Sequence, residues 1–430
     1  MAELFGFSIK KSDKSGTEKS FVSPAPDDGS VEIAGGGFFG QVLNVDGREK
    51  SELDLIKRYR DIAQQAECDT AIEDIINEGV VANQQDVPVQ IALDNVPYSD
   101  KIRRKIRKEF EEVMRLLEFN IKGHDIFRRW YVDGRLYYHK IIDVKDPRKG
   151  ITELRLIDST KIRKVREIKK SPDLKTGVEM IKAIDEYFVF NDKGIEKAGM
   201  AGSGANQGIK IAKDSICYVP SGLIDQNTGR VMSYLHKAIK PVNQLRMIED
   251  SLVIYRISRA PERRIFYIDV GNLPKIKAEQ YLKDVMNRYR NKMVYDASTG
   301  EIRDDRNHMS MLEDFWLPRR EGGRGTEITT LPGGSNLGEI DDITYFQRKL
   351  YRSLNVPISR LESEQGFSLG RSTEITRDEL KFTKFVQRIR KKFTPLFTDI
   401  LRTQLLLKGV IAEEDWKAIQ EHVQYDFLED

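Results

Sequence analysis

Trp316-Leu-Pro-Arg-Arg-Glu-Gly-Gly-Arg324, Ile328-Thr-Thr-Leu-Pro-Gly-Gly334 and the run from Asn336 to Val356-Pro357 together decide how this chain is read. The first, entered from Phe315, is a basic, glycine-punctuated loop, and the second is strand-like. The third is a capped amphipathic helix: Asn336 caps it with Glu339 three positions on, and Ile343, Phe346, Leu350 and Leu354 make its apolar stripe. Asp341 and Asp342 sit in its early turns and Arg348, Lys349 and Arg352 in its late ones, as the helix dipole favours, and Pro357 ends it. Such a stretch reads as a structural device for holding partners, not as a reaction centre.

Working outward from it, a polar segment from Ser359 to Thr373 leads into a long helix with Phe382, Phe385, Val386, Ile389 and Phe393, bent at Pro395. On the other side, Arg264 to Val270 is a strand bounded by Gly271, and Lys275 to Met293 is helical through Ile276, Tyr281, Val285 and Tyr289. Before that, Leu235, Ile239, Val242, Leu245, Ile248, Leu252 and Tyr255 predict a helix from about Val231 to Pro261, kinked at Pro241.

The first half of the chain mixes both periods. Residues 8 to 45, rich in Ser, Gly, Lys and Asp, read as an arm without a core of its own. A helix is predicted from Ser51, capped with Asp54 and presenting Leu55, Tyr59 and Ile62, and a second around Ile72, Ile75 and Ile76. A third, from Ser99 to Phe119, carries Ile102, Ile106, Phe110, Val113 and Leu117 on one face and charge on the other. Arg135–Ile142, Glu153–Ile157, Lys164–Ile168, Glu186–Phe190 and Ile216–Val219 then predict one meandering, mainly antiparallel sheet. The fold class is mixed α+β and multi-domain, and 430 residues suffice for several cores.

Composition narrows the function. The chain is 32% charged and 39% hydrophobic, with no window approaching the roughly 18 apolar residues of a spanning helix. Met1-Ala-Glu-Leu-Phe-Gly-Phe-Ser lacks the layout of a signal peptide, so the cytoplasm is the expected compartment. Cys68 and Cys217 stand alone and read as reduced structural thiols. The 71 basic residues nearly cancel the 68 acidic ones, leaving a net charge of +3, which excludes a simple polycation that coats nucleic acid. The signs are instead segregated, with basic runs at Lys101-Ile-Arg-Arg-Lys-Ile-Arg-Lys108, Lys161–Lys164, Arg256–Arg264 and Arg388–Lys392 and an acidic end from Glu413 to Asp430. Segregation of this kind suits subunit contacts or a polarised assembly.

Enzymatic chemistry finds no footing. The five histidines, His124, His139, His236, His308 and His422, fall in no HExxH or other ligand spacing, so no metal is expected. Gly35–Gly37 and Gly322–Gly325 lack the Lys-Ser/Thr of a phosphate loop, and no cofactor is expected. Asp304-Asp305 and Asp341-Asp342 are the acids that a metal-dependent nucleic-acid enzyme would use, and that alternative stays open, as does a structural capsid or baseplate component without a channel.

The order of α/β body, long helix, small insertion, second helix, polar loop and long helix resembles the portal protein of tailed bacteriophages, in its contractile-tailed myophage branch. The resemblance rests on Arg259-Ala-Pro-Glu-Arg-Arg-Ile-Phe-Tyr-Ile-Asp-Val-Gly271, Phe315-Trp-Leu-Pro-Arg-Arg-Glu-Gly-Gly-Arg-Gly325, Thr330-Leu-Pro-Gly-Gly334 and Leu354-Asn-Val-Pro357, and covers roughly residues 45 to 430. It implies a portal fold with long stem helices, an antiparallel β-rich wing and a small α/β clip insertion. Residues 1–45 would be an N-terminal arm, 46–231 the wing, 232–260 the first stem helix, 261–335 the clip and 336–357 the second stem helix. Residues 358–372 would be a loop in the DNA tunnel, 373–404 a wing helix and 405–430 the start of a crown, with relatives commonly continuing beyond it.

The implied protein is a ring, typically of twelve subunits, at one capsid vertex, where it nucleates head assembly and passes double-stranded DNA without sequence preference during packaging and ejection. Its partners would be the terminase large subunit, the major capsid protein, scaffold and neck proteins, with host inner-membrane association during assembly. It would reside in the host cytoplasm during assembly and then in the virion. Both charge signs suit a ring whose neighbours meet head to tail, and a channel must not grip a moving duplex. On this reading Arg360, Glu362, Glu364, Gln365 and Arg371 lie near the DNA path. Trp316, Arg319, Arg320, Glu321 and Arg324 form the motor-docking clip surface, and Ile343, Phe346, Leu350 and Leu354 pack the stem helix.

Overall fold

The computed structural model describes residues 2–4, 7–9, 28–34, 45–81, 87–172, 179–192, 194, 208–226, 228–259, 263–289, 293–295, 302–304, 315–319, 327–331, 340–360 and 369–428. In chain order the elements begin with a hairpin, β1 (Ala2–Leu4) and β2 (Phe7–Ile9), then β3 (Val31–Ala34), α1 (Val45–Ala63), α2 (Ala66–Gly79), β4 (Val89–Ala92), α3 (Asp100–Leu116) and α4 (Phe119–Asp133). Six strands follow: β5 (Arg135–Ile142), β6 (Ile151–Ile157), β7 (Ile162–Pro172), β8 (Glu179–Phe190), β9 (Ile209–Ala212) and β10 (Ile216–Pro220). Next come α5 (Ile239–Arg259), β11 (Arg263–Asp269), α6 (Lys275–Tyr289), β12 (Met293–Tyr295), β13 (Ile302–Asp304), β14 (Phe315–Arg319) and β15 (Glu327–Leu331). The chain finishes with α7 (Asp341–Leu354), α8 (Leu369–Phe393), α9 (Pro395–Leu407), α10 (Glu413–Ile419) and β16 (Gln424–Phe427). It divides into two compact units, one of Met1–Ile239 with Leu350–Asp430 and one of Lys240–Lys349.

In the first unit the single sheet expected from the sequence is two, ordered β10-β5-β6 and β3-β7-β8-β9. The cause is two-sided burial: Tyr137, Ile162, Phe188 and Ile216 are all buried against one another, and only two stacked layers provide that. Strands β7 and β8 run well past their apolar windows, because Arg166 pairs with Glu186, and Lys169 with Asp185, across the ladder. The arm is also more than a tail. Strand β3 adds to β7 in parallel, and just before it Asp28 accepts bonds from Lys164 and Arg166 while its carbonyl accepts the Tyr218 hydroxyl at 2.7 Å. Burial pushes the Asp28 carboxyl up, but hydrogen bonds from Lys164 and Ser30 outweigh it and hold the pKa down at about 2.

The helical half of this unit is built on an aromatic seam. Phe393, fully buried, lies 5.0 Å from Phe127, 5.2 Å from Trp130 and 5.6 Å from Phe397, ring centre to ring centre. Helix α4, which supplies Phe127 and Trp130, was not expected; α3 stops at Leu116 and the chain turns through Glu118, in the left-handed region at φ 49°. Gly134 ends α4 at φ 71°, where a Cβ would come within 2.8 Å of the Met232 carbonyl, so only glycine fits. Helix α1 starts at Val45, not Ser51, which lies inside it.

Both prolines read as bends turn out to open helices. Pro241 occupies the first turn of α5, after a 3-10 turn at Tyr234–Ala238 whose cap is the Ser233 hydroxyl, and Pro395 is the first residue of α9. In a first turn the missing N–H is one the helix would not use. Residues beyond Gln404 fold into this same unit: α9 closes at Gly409, and β16 pairs antiparallel with β4. Arg390 locks that end, donating to the carbonyls of Gly79, Glu78 and Leu428, and so satisfying the end of α2 and of the C-terminal strand together.

Candidate functional site

The second unit contains the motif that opened the sequence reading. Its sheet is ordered β14-β11-β15, with β14 parallel and β15 antiparallel to the central strand, and α6 covers it through Ile268, Val270 and Ala278 with Phe266, Leu282 and Val285 around them. The segment expected to be loop from Trp316 is therefore strand up to Arg319. Pro318 is tolerated there because β14 is an edge strand. Trp316 stands in register with Phe266, and Arg319 with Asp269. The Arg319 guanidinium reaches across the sheet, 5.1 Å from the Tyr267 ring centre, and donates to Glu327 at 2.7 Å. Both partners are well exposed, so the pair adds little stability, at most about 1 kcal/mol. Arg320, Glu321 and Arg324 lie outside the described residues. Helix α6 ends at Tyr289, and Met293 begins β12 instead of closing the helix.

Helices α5 and α7 bound this sheet in the chain. Helix α5 is apolar on more than one side: Val242 and Leu245 are buried, whereas Met247 (63% exposed), Ile254 (51%) and Tyr255 face outward. Helix α7 begins at Asp341, Ile340 before it being non-helical, and the Asn336 cap lies outside the described residues. Of its expected stripe, Leu350 and Leu354 are buried and Ile343 and Phe346 half-buried, while Tyr345 is 61% exposed. Lys349 ties the two helices together by donating to the Gln244 side chain at 3.2 Å.

The end of α7 is set by Asn355 more than by Pro357. Asn355 takes the left-handed conformation at φ 63°, the Val356 N–H bonds the Tyr351 carbonyl at 3.0 Å and the Asn355 N–H bonds that of Arg352 at 3.2 Å. This is the Schellman closure, with asparagine where glycine is commonest. It delivers Arg360, in the short 3-10 turn Ile358–Arg360, to Glu379 of α8. Nε and Nη2 of Arg360 donate to the two Glu379 oxygens at 3.1 and 2.9 Å, Nη2 also reaches Glu78 at 3.5 Å, and the guanidinium lies 4.4 Å from the Phe382 ring centre. Burial raises the pKa of nearby Asp74, with Glu379 and Glu78 adding to the rise and Arg360 opposing it. Arg360 is thus the cation of an acidic cluster that fastens the start of the following segment. Glu362, Glu364 and Gln365 lie outside the described residues; Arg371 falls in the first turn of α8, which starts at Leu369.

The sequence singles out Arg319 and Arg360 but not their partners Glu327, Tyr267, Glu379 and Glu78, and it marks Phe382 only as part of an apolar stripe. No periodicity links residues on separate elements, so nothing in the sequence pointed to them. Among the described residues no three His, Cys, Asp or Glu side chains group as a metal site, and no helix is long and apolar enough to cross a membrane. Asp341 and Asp342 lie exposed in the first turn of α7. Both cysteines are free and buried, and burial pushes the Cys68 thiol up to about 12, which leaves it unreactive.

Comparison with known proteins places this arrangement. Residues 52–430 match the family model described as Bacteriophage T4-like portal protein (Gp20). The portal protein of Vibrio phage KVP40 is 46% identical over 384 residues, covering 88% of this chain and 74% of that protein. The portal protein of Salmonella phage ViI is 37% identical over 414 residues, covering 94% of this chain and 74% of that one. Among solved structures, a chain from the neck of a native GTA particle computed with C12 symmetry superposes with a TM-score of 0.44 at 10% identity, over 94% of this chain and 88% of its own. With the family match spanning nearly all of the chain and two relatives above a third identical, the chain belongs to the T4-like bacteriophage portal protein family.

Proposed function

We propose that the chain is one subunit of a ring-shaped channel at a capsid vertex, through which double-stranded DNA is packaged and later ejected, and that the ring nucleates head assembly. Family membership supports this. The observation that carries it is the distribution of apolar surface: more than half of the exposed large apolar side chains among the described residues fall in Lys240–Lys349, a quarter of the chain. Met247, Ile254 and Tyr255 on α5 and Tyr345 on α7 are a surface that a subunit covers with its neighbours. Electron microscopy of the purified protein viewed end on tests this. Rings with a hole wide enough for a duplex are expected; a monodisperse monomer at micromolar concentration overturns the reading.

Within that ring we assign the wing to residues 46–231 with 373–404, the stem to 232–260 and 336–357, the clip to 261–335, the tunnel loop to 358–372 and the beginning of a crown to 405–430. The independent compactness of Lys240–Lys349 supports the stem and clip as a unit. The clip surface around Trp316, Arg319, Arg320, Glu321 and Arg324 docks the terminase large subunit and later the neck proteins. The body meets the major capsid protein and scaffold, and assembly begins at the host inner membrane. Charge reversal at Arg319 and Arg320 weakens motor binding with rings intact, and unchanged motor affinity rejects that surface. Glu362, Glu364, Gln365 and Arg371 make weak contacts to passing DNA, and Arg360 anchors the base of their loop through Glu379. Deleting residues 362–370 then impairs packaging or retention; wild-type behaviour in both removes the loop from the channel. The chain hydrolyses nothing itself, and the energy of packaging comes from the motor.

A further inference from the structure

The basic run Lys101–Lys108 has no task in the reading above, and the structure makes it unusual. It forms the first half of α3, whose buried face is Ile106, Phe110, Val113 and Met114. On the opposite side Lys101, Arg104, Lys105 and Lys108 stand at the i, i+3, i+4, i+7 spacing that aligns side chains in one stripe, and all four are exposed. About half of the other described cations in this unit are answered by acids, among them Arg60 by Asp133 and Asp158, Arg128 by Asp69 and Glu73, and Arg115 by Glu112. Arg103, off the stripe, is engaged with Asp100 and the Val96 carbonyl. Among the described residues the four stripe cations form no ion pair.

Helix physics does not account for this placement. Cations in the opening turns oppose the positive end of the helix dipole, and Lys101 with Lys105, and Arg104 with Lys108, are like charges four residues apart. A sequence selected for helix stability alone would put acids there. Bringing a polyanion to the stripe reverses both penalties.

We propose that this face of α3 is a docking surface for the phosphate backbone of duplex DNA, held without regard to sequence. The stripe runs about 10 Å along the helix, a length over which a duplex presents about six phosphates. Three of its four cations are lysines and it includes no aromatic or large apolar side chain. Protein interfaces deplete lysine and centre on aromatic residues, whereas phosphate neutralisation needs only mobile cations, and this favours nucleic acid over an acidic protein segment. The inference rests on the portal reading only in that duplex DNA is the polyanion such a protein meets.

The test is equilibrium binding of a fluorescent 30-base-pair duplex to the full chain across a series of salt concentrations. The variant Lys101→Gln, Arg104→Gln, Lys105→Gln, Lys108→Gln is compared with a control in which the acid-paired Lys149, Lys161, Lys169 and Lys381 are changed to Gln. The stripe variant is expected to lower the slope of log affinity against log salt by about 3 and to weaken binding at 0.1 M salt at least tenfold, with the control close to wild type. Circular dichroism of the stripe variant should show unchanged helix content and an unchanged or higher melting temperature, since like-charge repulsion is relieved. Equal slopes for the stripe variant and wild type overturn the proposal, as does polyglutamate of matched charge competing as well as duplex, which would mark an acidic protein as the partner. Imaging the same samples for rings keeps the two readings apart: rings with stripe-independent binding reject this surface alone, and an absence of rings rejects the portal assembly.

Discussion

Among the described residues Lys140 is the most deeply enclosed charge paired with a partly exposed acid, and cutting the pair from either side should give unequal results. Its side chain is 1% exposed and its ammonium donates to Asp399 at 2.8 Å and to Thr403 at 3.1 Å, joining β5 to α9; Asp399 is 33% exposed. Asp399→Ala leaves a buried ammonium whose remaining hydrogen-bond partner is the neutral Thr403 hydroxyl, with the Asp214 carboxylate attracting it without a hydrogen bond. Breaking a buried pair in this way costs about 3 kcal/mol, the lower end of the range because Asp214 remains and the vacated carboxylate lets water in. Lys140→Met removes the charge that cannot reach water and leaves an acid that can, so about 1 kcal/mol is expected, most of it from imperfect packing. With both changed, nothing buried is left unpaired and the cost stays about 1 kcal/mol, a coupling of about 3 kcal/mol. Urea unfolding followed by tryptophan fluorescence reads this directly, since Trp130 and Trp416 are both buried in the same unit. Equal costs for the two single variants, or a double variant whose cost is their sum, would refute the view that desolvation of Lys140 governs this contact.

The aromatic seam should be the most sensitive part of the helical half: Phe393→Ala is expected to cost about 4 kcal/mol in the same unfolding experiment and Phe393→Leu about 1 to 2 kcal/mol, and a loss below 1 kcal/mol for the alanine would contradict the packing. Asn355→Gly should be within a few tenths of wild type and Asn355→Ala destabilising by about 1 kcal/mol, because glycine alone accepts φ 63° freely; a reversed order would show that the closure of α7 does not depend on the left-handed residue. The folded-state pKa of Asp28 is depressed, from 3.8 to about 2, so its contribution is complete above pH 4 and is lost as the pH falls toward 2. That contribution, about 2 kcal/mol, should disappear in Asp28→Asn, with faster amide exchange in β3 at neutral pH; unchanged exchange would mean that the arm is held by something else. Arg360→Gln should release Ile358–Arg360 to proteolysis while the melting temperature changes little, and equal protease resistance would remove its anchoring role.

How much of this was legible in the sequence follows from how each element is stabilised. Helix α3 was readable because one face is buried and the other charged, giving a clean period, and α7 because its stripe and dipole charges agree. Helix α4 hid because its pattern is broken: Phe119, Ile126, Phe127, Trp130, Tyr131 and Val132 are buried, but Ile121 is 84% exposed beside Asn120, Lys122, Asp125 and Arg129, and Gly123 within it reads as a breaker. The turn that separates it from α3 rests on Glu118 in the left-handed region, which no glycine or proline announces. Strand β4 and its partner β16 were missed because four residues apiece carry too few alternations, and their pairing spans most of the chain. The opening motif split for a comparable reason: Phe315-Trp-Leu has strand character in its own right, and the arginines after it drew the reading toward loop.

The two prolines and the two arginines carry the same lesson about function. A proline in an apolar run marks either a kink or a start, and what precedes it tells which: a 3-10 turn capped by Ser233 leads into α5, and α8 ends at Phe393, two residues before Pro395 opens α9. An arginine in a glycine-rich or polar segment is equally ambiguous between a partner outside the chain and an acid inside it. Arg319 and Arg360 each have an internal acid, so reversing either charge perturbs the chain as well as any interface, and a loss of motor binding or packaging in such a variant must be read against its stability. The stripe on α3 is free of that ambiguity. Its cations have no acid among the described residues to lose, which makes it the place where removing charge separates binding from folding most cleanly.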